Sequence, residues 1–491
     1  MDAADSAMPR NPGRREAPVV IIGAGLAGLA TALRLTEMGF PARILEVREE
    51  EDYPCNTRYS GGVLHVAFRS VFEDASLLSR AIRDRTAGYV EPEIADALAS
   101  NSRRAVEWLC RQGITTASLQ PDEGWKDCIL EPLGFHDGIG LLWRDLGADR
   151  MMRLLEERLA LSGVVIERGK RAMEILPREG ACAEVIARHG EQTLRLSAST
   201  VVIADGGFQG DVGMLRRHIT PNPDLLVQRG PGTSTGDGIR IAEAIGADTI
   251  GMESFYGHIL SADALSNDRL WPFPFLDFVA GAGLLADSDA NRFTDEGRGG
   301  VHMANAIARR WDPRPVFAIF DDAIWNEAGR EFFAPPNPNL ERAGGTLYKA
   351  EDLGTLAVYA GIPGDRLAAL IAEHNEKVAA GKLGDLAPTR TDPGTKVRPI
   401  EAPPFYAAPG RAAITHTMGG LRIDASARVL DRNKKPIRYL YAAGNSAGGF
   451  EGGPTIGYIG GLMRALVFGL IAAEDIVQRA PETGGLPMSR D

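Results

Sequence analysis

Residues 19–22, VVII, are uninterruptedly apolar, break at GAGLAG (23–28) and resume as LATALRLTEMG, whose apolar positions recur at the spacing of a helix of about three turns. That order predicts strand, tight turn and helix. A second apolar run, ARILE (42–46), predicts another short strand that ends at Glu46. From about 73 to 160 the pattern is mainly helical, in LLSRAIRDRT, IADALASNSRRAVEWLCRQG and DRMMRLLEERLALSG, with irregular Gly- and Trp-containing loops between 120 and 147. VVIERG, CAEVIARHG and TLRLSASTVVIADGG then predict a small strand-rich piece that returns to the main sheet at VVIAD. TSTGDGIRIAEAIGA (233–247) reads as a Gly-rich turn opening a helix. From about 258 to 395 the character changes to aromatic and Pro clusters (WPFPFLDF, FFAPPNPN) with two amphipathic helices, which reads as an insertion. Strand-like pieces return in AAITHTMGGLRID, ARVLD and RYLYAAGN, before a last helix, IGGLMRALVFGLIAAEDIV.

The chain has 491 residues. At roughly 150 residues per domain this is about three domains' worth of material, or one large core carrying an insertion. It is 44% hydrophobic and 24% charged, with no apolar run of the length of about 18 residues that a spanning helix needs, so the expectation is a globular chain without a membrane span. Asp and Glu (65) outnumber Lys and Arg (54), the net charge is −11 and no basic stripe appears, which argues against a nucleic-acid partner. Cys55, Cys110, Cys128 and Cys182 form no CxxC or CxxCH, which points to reduced thiols in a cytoplasmic protein and against a metal site or covalent haem. Residues 1–17 are polar and lack an apolar leader core; they and 481–491 are expected to be flexible tails.

In the first strand–turn–helix unit, Gly23 would make the turn, Gly25 would let the backbone approach a pyrophosphate, and Gly28 would let helix pack on strand. The helix N-terminus would face the phosphates. Glu46, 18 residues after Gly28, is placed to accept from adenosine ribose hydroxyls. NAD and FAD both use this fingerprint, so the unit alone leaves both open.

Seven segments in order resemble the flavoprotein superfamily of soluble fumarate reductases, succinate dehydrogenase flavoprotein subunits, ketosteroid 1-dehydrogenases and tricarballylate dehydrogenase. They are GAGLAG, NTRYSGG (56–62), VVIADGGF (201–208), TGDGI (235–239), NRFTDE (291–296), HTMGGLRID (416–424) and LYAAGN (440–445). The resemblance implies an α/β fold: a discontinuous Rossmann-like FAD-binding domain (18–257, with the helical insertion at about 73–160, and 396–480) and an inserted α+β capping domain (258–395). It implies FAD, contacted by Gly23, Ala24, Gly25, Ala27, Gly28 and Glu46 at the ADP end. Along the pyrophosphate and flavin it implies Asn56, Thr57, Arg58, Ser60, Gly61 and Gly62. It adds Ala204, Asp205, Gly206 and Asp237, and, in the C-terminal flavin segment, Gly444, Asn445, Thr455 and Ile456. Asp205 replaces the family's usual Thr and Asn445 its usual Glu. NTRYSGG lacks the His that attaches flavin covalently in succinate dehydrogenases, so non-covalent FAD is expected.

The resemblance further implies hydride transfer that forms or reduces a C=C bond beside a carbonyl or carboxylate, with dehydrogenation favoured in a tricarballylate dehydrogenase-like sense. Fumarate reductase-like and enone or ketosteroid chemistry are the alternatives, and a non-catalytic FAD carrier is a further one. The implied partners are a small-molecule substrate and an external electron acceptor or donor. His258 and His416 match the family's substrate histidines. Its two arginines are missing: the acid–base Arg position falls on Gly300 and the C-terminal one near Thr455. Leaving two carboxylates without cations costs several kcal/mol each, which disfavours a simple C4 dicarboxylate. Arg298 and His302 flank the first vacancy. Glu451, near a family Tyr position, is expected to act as a base whose pKa a low-polarity site raises. Tyr458 and Tyr256 are further donors.

Overall fold

The computed structural model describes residues 18–480 apart from 120–123, 134–137, 179–181, 333 and 392–396. The tails expected at 1–17 and 481–491 lie outside the described residues. The chain folds as α/β with two main sheets. In the first, strands run in the order Arg428–Leu430, Pro436–Ala442, Thr200–Ile203, Val19–Ile22, Ala42–Leu45 and Ile166–Glu167. All pair in parallel except Arg428–Leu430, an antiparallel edge. A parallel sheet is covered on both faces, so its strands are continuously apolar, and Val19–Ile22 at its centre is buried at every position. The helix Leu26–Glu37 packs on the C-terminal helix Gly461–Arg479, where Thr31 Oγ1 donates to Gly469 O at 3.0 Å and Arg34 pairs with Glu474 at 3.0 Å.

This topology fixes where a ligand binds. Four adjacent parallel strands end at Ile22, Leu45, Ile203 and Ala442, so the four loops that begin at Gly23, Glu46, Ala204 and Ala443 open onto the same carboxyl edge of the sheet. The region read as helical contributes Ala75–Arg85, Pro92–Arg111 and Gly147–Leu161, and the strand-rich piece is an antiparallel meander, Arg171–Arg178, Cys182–His189 and Gln192–Ala198.

The second sheet is organised by one long strand, Phe405–Thr417. It pairs antiparallel with Phe255–Ser261, Val316–Asp321 and Tyr348–Ala350 and in parallel with Val227–Gln228, and Leu284–Ala286 extends the sheet beyond Val316–Asp321. Chain from both sides of the expected 395/396 division therefore builds this sheet. Register shifts between Tyr256 and Gly257: Tyr256 faces His416, Gly257 faces Ile414, and Thr415 is the extra residue of a bulge. Among the described residues no helix is long and apolar enough to cross a membrane, and no group of three or more His, Cys, Asp or Glu is placed to hold a metal.

Candidate functional site

A cavity of about 680 Å³ runs from the carboxyl edge of the first sheet to the second sheet. At its first end the Gly23 turn takes a φ of +102°, and a Cβ there would stand 2.5 Å from Ala204 O. A Cβ on Gly28 would stand 2.0 Å from Gly23 O, so only glycine lets the helix begin this close to the strand. Ala24, Gly25, Leu26 and Ala27 line the cavity at the N-terminus of a twelve-residue helix, a place that favours an anion. Glu46 accepts from Ala24 N (3.1 Å) and Arg48 N (2.9 Å), and burial raises its pKa against those bonds. Lys170 and Arg171 line the same end, paired with Glu167 and Asp237.

The loop at 54–63 forms the next wall. Asn56 donates to Thr415 O at 2.7 Å and leaves its buried Oδ1 without a partner among the described residues. Thr57 Oγ1 accepts from Leu26 N at 3.3 Å, and Ser60 Oγ donates to Thr57 O at 2.8 Å. Ser60, Gly61 and Gly62 face the cavity. Arg58 does not. Its side chain is wholly buried behind the loop, bonded to Asp149 and, at 2.8 Å, to Glu156, with Tyr53 beneath the guanidinium at 4.9 Å. The expected cofactor contact is a clamp that holds the loop to the helix Gly147–Leu161.

Ala204, Asp205, Gly206, Asp237, Gly444 and Asn445 all line the cavity. Asp205 ties three segments together, accepting from Gly238 N (2.7 Å) and Ser446 Oγ (3.1 Å), and burial lifts its pKa to about 6. Asn445 Oδ1 accepts from Arg464. Thr455 donates to Arg85 O at 2.7 Å, and Ile456, a β-branched residue at φ +51°, is held in that strained state by paired backbone bonds between Gly452 and Gly457.

At the other end the structure brings His258, His416, Tyr256 and Tyr458 together. Tyr256 and Tyr458 stack with ring centroids 3.9 Å apart, and His416 lies 5.2 Å from Tyr256. His258 Nε2 is 3.1 Å from Tyr256 Oη and its Nδ1 is 2.5 Å from Asp277 Oδ2. Burial lowers both imidazole pKa values despite carboxylate neighbours. It pushes Tyr256 up to about 12 and Tyr458 well above its usual range. Tyr458 Oη accepts from Gly461 N (3.1 Å), which leaves its proton to donate.

Two expectations are corrected here, those for Glu451 and His302. Glu451 does not line the cavity: it lies beneath, with no exposed surface, accepting from Ile459 N (3.1 Å) and Gly460 N (3.2 Å) and pairing with Arg464 (3.2 Å) and His416 (3.4 Å). Burial alone would raise its pKa, but the Arg464 guanidinium, His416 and the backbone donors override it and hold it at about 2, so it is no base at neutral pH. Arg298 lines the rim, exposed, with its guanidinium engaged by Asp295 (3.3 Å) and Pro454 O (3.1 Å). His302 does not line the cavity.

Sequence reading missed Arg229 and Asp277. Arg229 is 8% exposed, donates to Pro272 O (3.1 Å) and Thr415 Oγ1 (2.6 Å), and has no carboxylate within 4 Å among the described residues. Burial lowers its pKa to about 10, so it stays cationic at neutral pH. The lone carboxylate in WPFPFLDF was the one legible signal for Asp277; for Arg229 the hint was only a cation abutting a Gly-rich turn.

The FAD binding domain family matches residues 18–457, from the first strand to the Gly452–Gly457 turn. The chain belongs to that family. NADH:acrylate oxidoreductase from Vibrio harveyi is 27% identical to this flavoprotein over 402 residues, covering 79% of this chain and 37% of that protein. NADH:fumarate oxidoreductase from Klebsiella pneumoniae is 24% identical over 488 residues, 94% of this chain and 48% of its own. The chain thus spans less than half the length of either. Among solved structures, 3-ketosteroid delta1-dehydrogenase from Sterolibacterium denitrificans, in complex with 1,4-androstadiene-3,17-dione, superposes with a TM-score of 0.70 at 19% identity, over 94% of this chain and 99% of that one, and shares the fold.

FAD is the cofactor, and the residues present fit it. The Gly23–Gly28 turn and helix N-terminus suit a pyrophosphate, Glu46 suits ribose hydroxyls, and the orphaned Asn56 Oδ1 offers an acceptor to a donor edge.

Proposed function

We propose that this flavoprotein interconverts a C–C single bond and a C=C bond beside the carboxylate or carbonyl of a ring-bearing monocarboxylic acid, with dehydrogenation the forward direction. The observation that carries the reading is Arg229, a buried guanidinium with no carboxylate within 4 Å among the described residues, beside stacked phenols and two imidazoles whose pKa burial lowers. A buried cation left unpaired is costly, and a substrate carboxylate satisfies it in a planar, two-point grip. The surrounding walls are aromatic rather than cationic: Phe273 and Phe275 lie under the guanidinium at 5.9 and 4.8 Å, and Trp125 stacks on Phe332 nearby. Arg298 is spent on Asp295, and Arg85 sits exposed at the mouth over Phe68 at 4.9 Å. One buried cation in an aromatic box suits one carboxylate on an apolar body better than the several carboxylates of fumarate or tricarballylate.

Bound FAD supplies the two-electron acceptor or donor. Tyr458, whose oxygen already accepts from Gly461 N, donates its proton to the activating oxygen of the substrate and stabilises the charge that builds there. Neutral His416, with Nε2–H toward Glu451, offers a second polar contact in the same pocket. His258, with Nε2 facing Tyr256 Oη, gives the departing proton a destination.

Non-covalent attachment of FAD belongs to the same reading. The test is an anaerobic stopped-flow scan of flavin absorbance against cyclohexanecarboxylate, 3-phenylpropanoate, succinate, tricarballylate and a neutral ketosteroid, with their unsaturated counterparts. Bleaching by a ring-bearing monoacid is expected. Bleaching by succinate or the steroid alone overturns the substrate class, reoxidation of the chemically reduced protein without any bleaching reverses the direction, and inertness toward all of them makes the chain a carrier.

A further inference from the structure

Position 300, where the resembled fumarate reductases carry their acid–base arginine, is a glycine, and the space is not vacant. A Cβ on Gly300 would stand 1.7 Å from Asp277 Oδ2. That oxygen is the one that meets His258 Nδ1 at 2.5 Å, while Asp277 Oδ1 accepts from Ile259 N at 2.7 Å. The absent side chain and the buried carboxylate are therefore complementary: any larger residue at 300 would push Asp277 off the imidazole.

We infer that Asp277, His258 and Tyr256 form a proton relay that replaces the missing arginine, with Tyr256 the residue that exchanges a proton with the substrate and His258 and Asp277 positioning it. The inference rests on the function proposed above. A carboxylate only accepts, so Nδ1 of neutral His258 carries the proton and Nε2 presents a lone pair to the Tyr256 hydroxyl. In dehydrogenation the proton on the substrate's α-carbon passes to Tyr256 Oη as the Tyr256 proton moves to His258 Nε2, and the electrons of that C–H bond form the new C=C. Bound oxidised FAD would supply the acceptor for the hydride of the β-carbon and its electron pair. The imidazolium so formed is paired with the Asp277 carboxylate. Reduction runs the same steps backward.

The charged and titratable groups facing the relay are Arg229, which favours the phenolate, Asp277 and Glu451, which oppose it, and the stacked Tyr458 and neighbouring His416. Arg229 lies close enough to both Tyr256 and His258 to influence their protonation, so anchor and relay act on one substrate.

The test is D277N in the FAD-loaded protein. The amide keeps an oxygen for Ile259 N but turns a donor toward Nδ1, which forces the imidazole into the opposite tautomer, with Nε2–H against Tyr256. Histidine ¹⁵N NMR, with His258 assigned by loss of its signals in H258Q, is expected to show the Nδ1–H form in the wild type and the Nε2–H form in D277N. Against whichever acid bleaches the wild-type flavin, D277N and Y256F are expected to slow bleaching by about 10²- to 10⁴-fold, the contribution of general acid–base catalysis, with flavin content unchanged. G300A, which keeps the carboxylate but displaces it, is expected to slow bleaching in the same sense. A wild-type Nε2–H tautomer overturns the relay, as does a D277N rate within threefold of wild type. A panel in which no acid bleaches the flavin counts against the proposed function instead, and the tautomer then decides the relay alone.

Discussion

Replacing Glu451 by Gln isolates the buried network under the site. The amide still accepts from Ile459 N and Gly460 N through one oxygen, but it sets an NH₂ group against Arg464 Nη1, where a carboxylate oxygen now stands at 3.2 Å. Both partners are fully buried, so the variant leaves a guanidinium without its counter-charge, a change that costs about 3–5 kcal/mol. The same Arg464 pairing holds the Glu451 carboxyl at about 2, below its ordinary 4.5. Because the folded value is the lower one, the pairing's contribution to stability is complete above about pH 4.5 and disappears as pH falls through about 2. Urea unfolding at pH 7, followed by circular dichroism and flavin release, should show E451Q destabilised by about 3–5 kcal/mol, and E451Q/R464M should regain most of that, since the buried charge is gone. Stability of E451Q within about 1 kcal/mol of wild type, the scatter of ordinary substitutions, would refute the reasoning. If flavin bleaching were abolished at the same time, Glu451 would be the base it was first read as.

Three further outcomes are expected. R229M should weaken binding of a ring-bearing monocarboxylate by about 10- to 150-fold, the worth of about 1.5–3 kcal/mol for hydrogen bonds to a charged group, read as a shift in the concentration dependence of flavin bleaching; no shift would remove Arg229 as the anchor. G28A, whose Cβ would meet Gly23 O at 2.0 Å, should purify with little flavin and lose at least about 2 kcal/mol, measured by the ratio of flavin to protein absorbance and by urea unfolding; full flavin occupancy would show that the turn can open. Denaturation and filtration should pass all the yellow colour through the membrane, and colour kept with the polypeptide would mean a covalent flavin.

What was legible in the sequence was what local chemistry decides. The VVII strand, the GAGLAG turn, the ensuing helix and Glu46 lie within 28 residues, and each contact they make follows from spacing and backbone conformation. His258 and His416 were found because their motifs recur in a family, and Tyr458 and Tyr256 were named only as further donors. Arg229 and Asp277 went unread because their meaning lies in juxtaposition across the second sheet, which joins residues 227–228, 255–261 and 405–417. Glu451 was misjudged for a related reason. Burial can be guessed from a sequence, but the sign of a pKa shift depends on which partners burial brings, and Arg464 together with two backbone amides outweighs desolvation. Arg58 was placed on the correct loop and given the wrong side of it, since its carboxylates come from a helix some 90 residues later.

The bulge at Thr415 has a consequence for how specificity can change. Its carbonyl holds Asn56 on the cofactor side and its hydroxyl holds Arg229 on the substrate side, so one residue belongs to both halves of the cavity. An insertion or deletion there shifts both grips together, and a β-branched residue without the hydroxyl keeps one while releasing the other. Retuning the anchor for a new acid is thus less expensive at Phe273 and Phe275, which lie under the guanidinium on the substrate side, than at the strand itself.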